Sequence, residues 1–176
     1  MFSEYAESGH TLLGDTSRQL TASFRFSPTN VTIANTLRRA ILTLTPSVGF
    51  RTEPYEKSDV HISINTTPLV NEMLAHRIGM IPIKANPLEF DPSQYEFVID
   101  KENNTKELMD IRASDFKVFM KNPENALDEP IQVPTENFFP PDPVTGETCL
   151  ITRLRPQWNP SAPNERLQLK ARASIS

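Results

Sequence analysis

Between residues 167 and 175 apolar side chains fall at every second position, Leu167, Leu169, Ala171, Ala173 and Ile175, with Gln168, Lys170, Arg172 and Ser174 between them. A chain with that period buries one face only when it is extended, because successive side chains of a strand point to opposite sides of a sheet. The pattern recurs in Leu20, Ala22, Phe24 and Phe26 against Thr21, Ser23 and Arg25, in Val60, Ile62 and Ile64, in Tyr95, Phe97 and Ile99, and in Phe116, Val118 and Met120. A further strand is expected around residues 149–154. Sixteen prolines against five glycines agree with short strands and extended connections, and argue against a long helical array.

Two segments have helical spacing instead. In residues 30–46, NVTIANTLRRAILTLTP, Ala34, Leu37, Ile41 and Leu44 recur at intervals of three and four and line one stripe. Asn30 can cap the first turn through its side-chain oxygen, and Pro46 bars continuation. Consecutive helical residues are rotated by about 100°, so Arg38 and Arg39 flank that stripe on the polar side. A second helix is expected over residues 68–78, with Thr67 as cap, Pro68 in its first position and Gly79 ending it. Leu69, Val70, Met73, Leu74 and Ile78 form its stripe, and Asn71, Glu72 and His76 its polar side.

Together these elements predict an α+β chain in which a strand and a helix precede a mostly β region. Residues 1–16 carry no periodicity and are expected to be a flexible tail. Residues 121–147 hold six prolines and are expected to be a long surface loop, pinned by Phe138 and Phe139. A domain that ends on a long alternating strand, with no closing element after it, reads as unfinished.

Much chemistry finds no support. With 18 basic and 22 acidic residues the formal charge is -4, which offers no general attraction to nucleic-acid phosphates. A lone Cys149 gives no disulfide framework, and His10, His61 and His76 lack metal-ligand spacing. No apolar run reaches the roughly 20 residues that span a bilayer, and MFSEYAESGH lacks a signal peptide's basic start and apolar core. An intracellular protein with no membrane association is expected, and the glycosylation-like triplets at Asn30, Asn65 and Asn103 are then coincidental. No glycine-rich phosphate loop or nucleophile elbow is present, and Glu53, Glu56 and Asp59 read as solvated carboxylates. Apolar stripes with polar flanks suit a binding or scaffold protein better than an enzyme.

Two longer stretches carry a resemblance. NTLRRAILTLTPSVGF at residues 35–50 and LVNEMLAHRIGMIPI at residues 69–83 resemble the alpha-like subunit family of multisubunit DNA-directed RNA polymerases, the second stretch being similar to the archaeal and eukaryotic branch. RASDF at 112–116, LITRLRP at 150–156 and ERLQLKARASIS at 165–176 follow in the same order. The resemblance implies a dimerisation domain split by an inserted domain. Residues 17–50 match its first segment and 51–176 the insert, while the strands and long helix of its second half have no counterpart. Many relatives hold zinc or an iron-sulfur cluster through cysteines after the IPI segment. KANPLEFDPSQYEF has none, so no metal and no cofactor is expected.

What the resemblance implies is a non-catalytic assembly subunit, with no catalytic residues of its own. It would dimerise with a smaller alpha-like subunit, dock the largest and second-largest subunits, sit beside other small polymerase subunits, and meet DNA only through the complex. Its place would be the nucleus in a eukaryote, and otherwise the cytoplasm or a viral transcription site. By the same resemblance Asn35, Leu37, Arg38, Arg39, Ile41, Leu44, His76 and Arg77 become interface candidates. Arg suits such a role because its planar fork holds a carboxylate or carbonyl oxygens with parallel bonds. The alternatives stay open: solvated arginines in the first helix, a local bond from Asn35, and an ion pair from Arg77 to Glu72 or Glu53. A free-standing interaction or regulatory module would use the same surfaces.

Overall fold

The structure, a computed structural model, describes residues 2–11, 18–121, 130–157 and 163–175, with the backbone alone for 2–11 and 18–22. It divides into two compact units, 1–46 with 142–146, and 47–141 with 147–176.

In the first unit β1 (Phe2–Thr11) and β2 (Arg18–Phe26) form an antiparallel pair running from Phe2 opposite Phe26 to Thr11 opposite Arg18, with an irregularity between Ser3 and Ala6. The expected tail over residues 1–16 therefore gives way to a strand, and residues 12–17 lie outside the described residues. Helix α1 (Val31–Leu44) follows. The Asn30 side-chain oxygen accepts from the Ile33 N–H at 2.9 Å, which satisfies a first-turn donor that has no partner within the helix. At 142–146 the Asp142 Oδ1 accepts from the N–H groups of Val144 and Thr145 at 2.9 and 2.8 Å. These bonds hold the Asp142 carboxyl below its usual range. Gly146 sits at φ 70°, a conformation in which a Cβ would be strained.

The second unit holds β3 (Val48–Gly49), β4 (Val60–Asn65), α2 (Asn71–Gly79), β5 (Tyr95–Glu102), β6 (Met109–Arg112), β7 (Lys117–Met120), β8 (Ile131–Val133), β9 (Leu150–Leu154), β10 (Arg166–Ala171) and β11 (Ser174–Ile175). Five of these strands make one antiparallel sheet in the order β4-β10-β5-β7-β8, while β6 pairs with β9 and β3 with β11. The long alternating stretch at 167–175 is thus two strands. It breaks after Ala171, where the Arg172 N–H turns to the Asp59 carbonyl at 3.0 Å. Its period survives the break, because Ala173 is buried like Leu167, Leu169 and Ala171. Its first part, β10, is an interior strand of the sheet, paired with β4 on one side and β5 on the other.

Alternation sends Phe97, Ile99 and Val118 to the same buried face. Phe97 meets Phe50, Phe138 and Phe116 edge-on at centroid distances of 5.2, 5.4 and 6.1 Å, an arrangement that sets ring edges against ring faces. Phe138 and Phe139, in the segment over residues 121–147 expected to be a loop, are buried. That segment is not all loop, since β8 extends the sheet, and the Thr135 hydroxyl ties it to the Phe116 carbonyl at 2.7 Å. Residues 122–129 lie outside the described residues.

Helix α2 begins three residues later than its spacing predicts, with Val70 at the cap position and no side-chain cap. Thr67 and Pro68 belong instead to a turn built by Asn65. The Asn65 Oδ1 accepts from the N–H and hydroxyl of Thr67 at 3.0 and 2.7 Å, and its Nδ2 donates to the Leu69 carbonyl at 2.7 Å and to the Asn71 Oδ1 at 2.8 Å. The same turn recurs at Asn103. There Oδ1 accepts from the N–H and hydroxyl of Thr105 at 3.0 and 2.7 Å, while Nδ2 donates to the carbonyls of Glu107, Arg155 and Leu154 at 2.9, 3.0 and 3.2 Å. Two of the three triplets, those at Asn65 and Asn103, thus form turns that close the ends of β4 and β5. Gly79, expected just beyond the helix, is its last residue. A Cβ there would lie 2.9 Å from the Thr52 side chain and 3.1 Å from the Phe50 carbonyl, so close packing against residues 50–52 requires the glycine.

Candidate partner interfaces

Not one residue of α1 is buried. Its stripe of Ala34, Leu37, Ile41 and Leu44 shares one side, with Leu37 half-buried, Ile41 55% exposed and Leu44 77% exposed. Val31, Ile33 and Leu42 are also exposed and were not singled out by spacing. Rotation of about 100° per residue places Val31 and Leu42 beside Arg38, away from the stripe, so α1 offers apolar surface on two sides.

The polar groups of the helix are settled within it. The hydroxyls of Thr36, Thr43 and Thr45 donate to the carbonyls of Thr32, Arg39 and Ile41, four residues back, at 2.9, 2.7 and 2.7 Å. The Arg38 guanidinium donates to the Asn35 Oδ1 through Nε at 3.2 Å and a terminal nitrogen at 2.9 Å. Asn35 thus bonds locally and fixes the direction of Arg38. Arg39 makes no side-chain hydrogen bond or ion pair among the described residues.

His76 and Arg77 lie on α2, in the other unit, and both are exposed. The Arg77 guanidinium donates to the Leu150 carbonyl of β9 at 3.1 Å, so neither Glu72 nor Glu53 is its partner. Leu74, Ala75 and Ile78 form the buried side of α2, and Val70 and Met73, placed in its apolar stripe by sequence, face outward. Among the described residues no helix is long and apolar enough to cross a membrane, and no group of three or more His, Cys, Asp or Glu could hold a metal ion.

No protein-family model matches the chain. Individual proteins do. Over 68 residues, 39% of the chain, it is 40% identical to DNA-directed RNA polymerase subunit Rpo3 of Methanopyrus kandleri, covering 22% of that protein. It is 35% identical over 69 residues to DNA-directed RNA polymerase II subunit RPB3 of Schizosaccharomyces pombe, covering 39% of the chain and 21% of that protein. It is 30% identical over 93 residues to Rpo3 of Methanocaldococcus jannaschii, covering 52% of the chain and 44% of that protein. The chain resembles the Rpo3 and RPB3 subunits of RNA polymerase. It matches less than half the length of each of these alpha-like relatives, which come from archaea and a eukaryote and are all polymerase subunits by name.

Proposed function

We propose that the chain is a non-catalytic assembly subunit of a DNA-dependent RNA polymerase. Residues 17–50 act as the first segment of a dimerisation domain that pairs with a smaller alpha-like subunit, and residues 51–176 act as its insert. The observation that carries the reading is α1, a 14-residue helix with no buried residue and with Ile41, Leu42 and Leu44 turned to solvent. An apolar helix face left open is stabilised by a partner that covers it. The stripe of Leu37, Ile41 and Leu44 receives the alpha-like partner. The opposite side, with Arg38 held by Asn35 and Arg39 without an internal partner, meets a large subunit through carboxylates or carbonyls. His76 and Arg77 serve a further subunit contact. The catalytic centre lies in the large subunits, and DNA is reached only through the complex. In a eukaryote this role belongs to the nucleus, and elsewhere to the cytoplasm or a viral transcription site.

Purification of the tagged chain from its own cells tests this reading. The wild-type chain should bring both large subunits, and Arg39→Glu should lose the second-largest while its circular dichroism is unchanged. Undiminished capture by Arg39→Glu would return that side of α1 to solvent.

A further inference from the structure

Val31, Asn35, Arg38 and Leu42 follow one another at intervals of four, three and four residues, and so share one line along α1. With about 100° between successive residues, that line is centred about 120° around the helix from Leu37, Ile41 and Leu44. A partner that covers the Leu37 stripe leaves this line open. Its ends are apolar, with Val31 86% and Leu42 70% exposed, and the Arg38 guanidinium lies between them.

A guanidinium carries five N–H groups. The Asn35 Oδ1 accepts those of one side edge, from Nε at 3.2 Å and a terminal nitrogen at 2.9 Å. The end edge, with one N–H from each terminal nitrogen, stays free among the described residues, and its two parallel bonds fit the two oxygens of a carboxylate. Asn35 has no charge, so it fixes the fork without neutralising it. Helix α1 holds no Asp or Glu, and neither Arg38 nor Arg39 forms an ion pair among the described residues. A carbonyl would answer the fork with one oxygen and no charge, and a phosphate would leave Val31 and Leu42 in water.

We propose that Asn35 is a positioning residue, which aims the free edge of Arg38 at an Asp or Glu of the second-largest polymerase subunit, set between apolar side chains that cover Val31 and Leu42. The inference rests on the assembly role proposed above and narrows that contact to a carboxylate. Capture of the second-largest subunit by the tagged full chain, over a concentration series, tests it. Asn35→Ala should weaken capture roughly three- to tenfold, the worth of a hydrogen bond, although alanine is the better helix former and leaves α1 intact. In an Arg38→Ala background the same change should have no effect, because Asn35 acts through Arg38. A benzophenone amino acid at position 42, irradiated in the purified complex, should label that subunit within a few residues of an Asp or Glu, and changing that residue to Arg should restore capture by Arg38→Glu. Undiminished capture by Asn35→Ala, an equal loss in both backgrounds, or adducts that are absent or join only nucleic acid, a second copy of the chain or a segment without Asp or Glu overturn the positioning role and leave the assembly role standing. A wild-type chain that captures no large subunit overturns both.

Discussion

Replacing Ile41 and Leu44 together by Ser separates what α1 does for the fold from what it does for assembly. Full burial of a large aliphatic side chain is worth about 1.5 to 3 kcal/mol. Within the chain Ile41 and Leu44 already have part of their surface covered, and 55% and 77% remains open for a partner. Scaled by those fractions, the pair contributes about 2 to 4 kcal/mol to association, a loss of roughly 30- to 1000-fold in affinity on substitution. The fold itself should change by about 1 to 2 kcal/mol, the share of the same burial that is already covered within the chain. Quantitative capture of the alpha-like and large subunits across a concentration series gives the first number, and urea unfolding of the isolated chain gives the second. A variant that unfolds at much lower urea yet is captured with undiminished affinity would refute the reasoning, because the stripe would then be covered by the chain itself.

Asn103→Ala removes the donor to the Glu107, Leu154 and Arg155 carbonyls from a fully buried position. It should cost about 2 to 4 kcal/mol in urea unfolding, because buried polar groups left without partners carry their full desolvation penalty, and a cost below about 0.5 kcal/mol would contradict it. Two Arg166 nitrogens donate to Asp100 at 3.0 and 2.9 Å, and these bonds hold the Asp100 carboxyl below its ordinary range. A lowered folded value means that the stabilisation is present above the unfolded value near 3.9 and is lost as pH falls through the folded one. The Asp100 carboxyl carbon should therefore titrate below about 3.9 by NMR, and Arg166→Gln should move that midpoint upward.

The sheet was legible in the sequence because period two survives burial: Leu167, Leu169, Ala171 and Ala173 are all buried although the strand breaks after Ala171. What alternation does not carry is order, and nothing in it places β10 between β4 and β5. Short strands with two inward residues or fewer, β6 and β8, are too brief to stand out from their surroundings. The start of α2 was misplaced because a Thr-Pro pair before an apolar run fits a helix cap, whereas the Asn65 side chain captures Thr67 into a turn first. The repeated Asn-x-Thr triplet was the visible signal of both turns, since its two side chains bond each other and the backbone just ahead. On α1, spacing located the stripe and the arginines. A local bond from Asn35 was one of the open alternatives, but spacing did not name Arg38 as its partner, nor show that Val31 and Leu42 add a second apolar side.

The central claim concerns what covers α1, and the mass of the native assembly addresses it most directly. Native mass spectrometry of the complex purified through the tagged chain should give one copy of it together with a smaller alpha-like subunit and the two large polymerase subunits. Hydrogen exchange across Val31–Leu44 in that complex should be slow, and in the isolated chain fast. A mass corresponding to the chain alone or to a pair of its own copies, with equal exchange in both samples, would contradict the account.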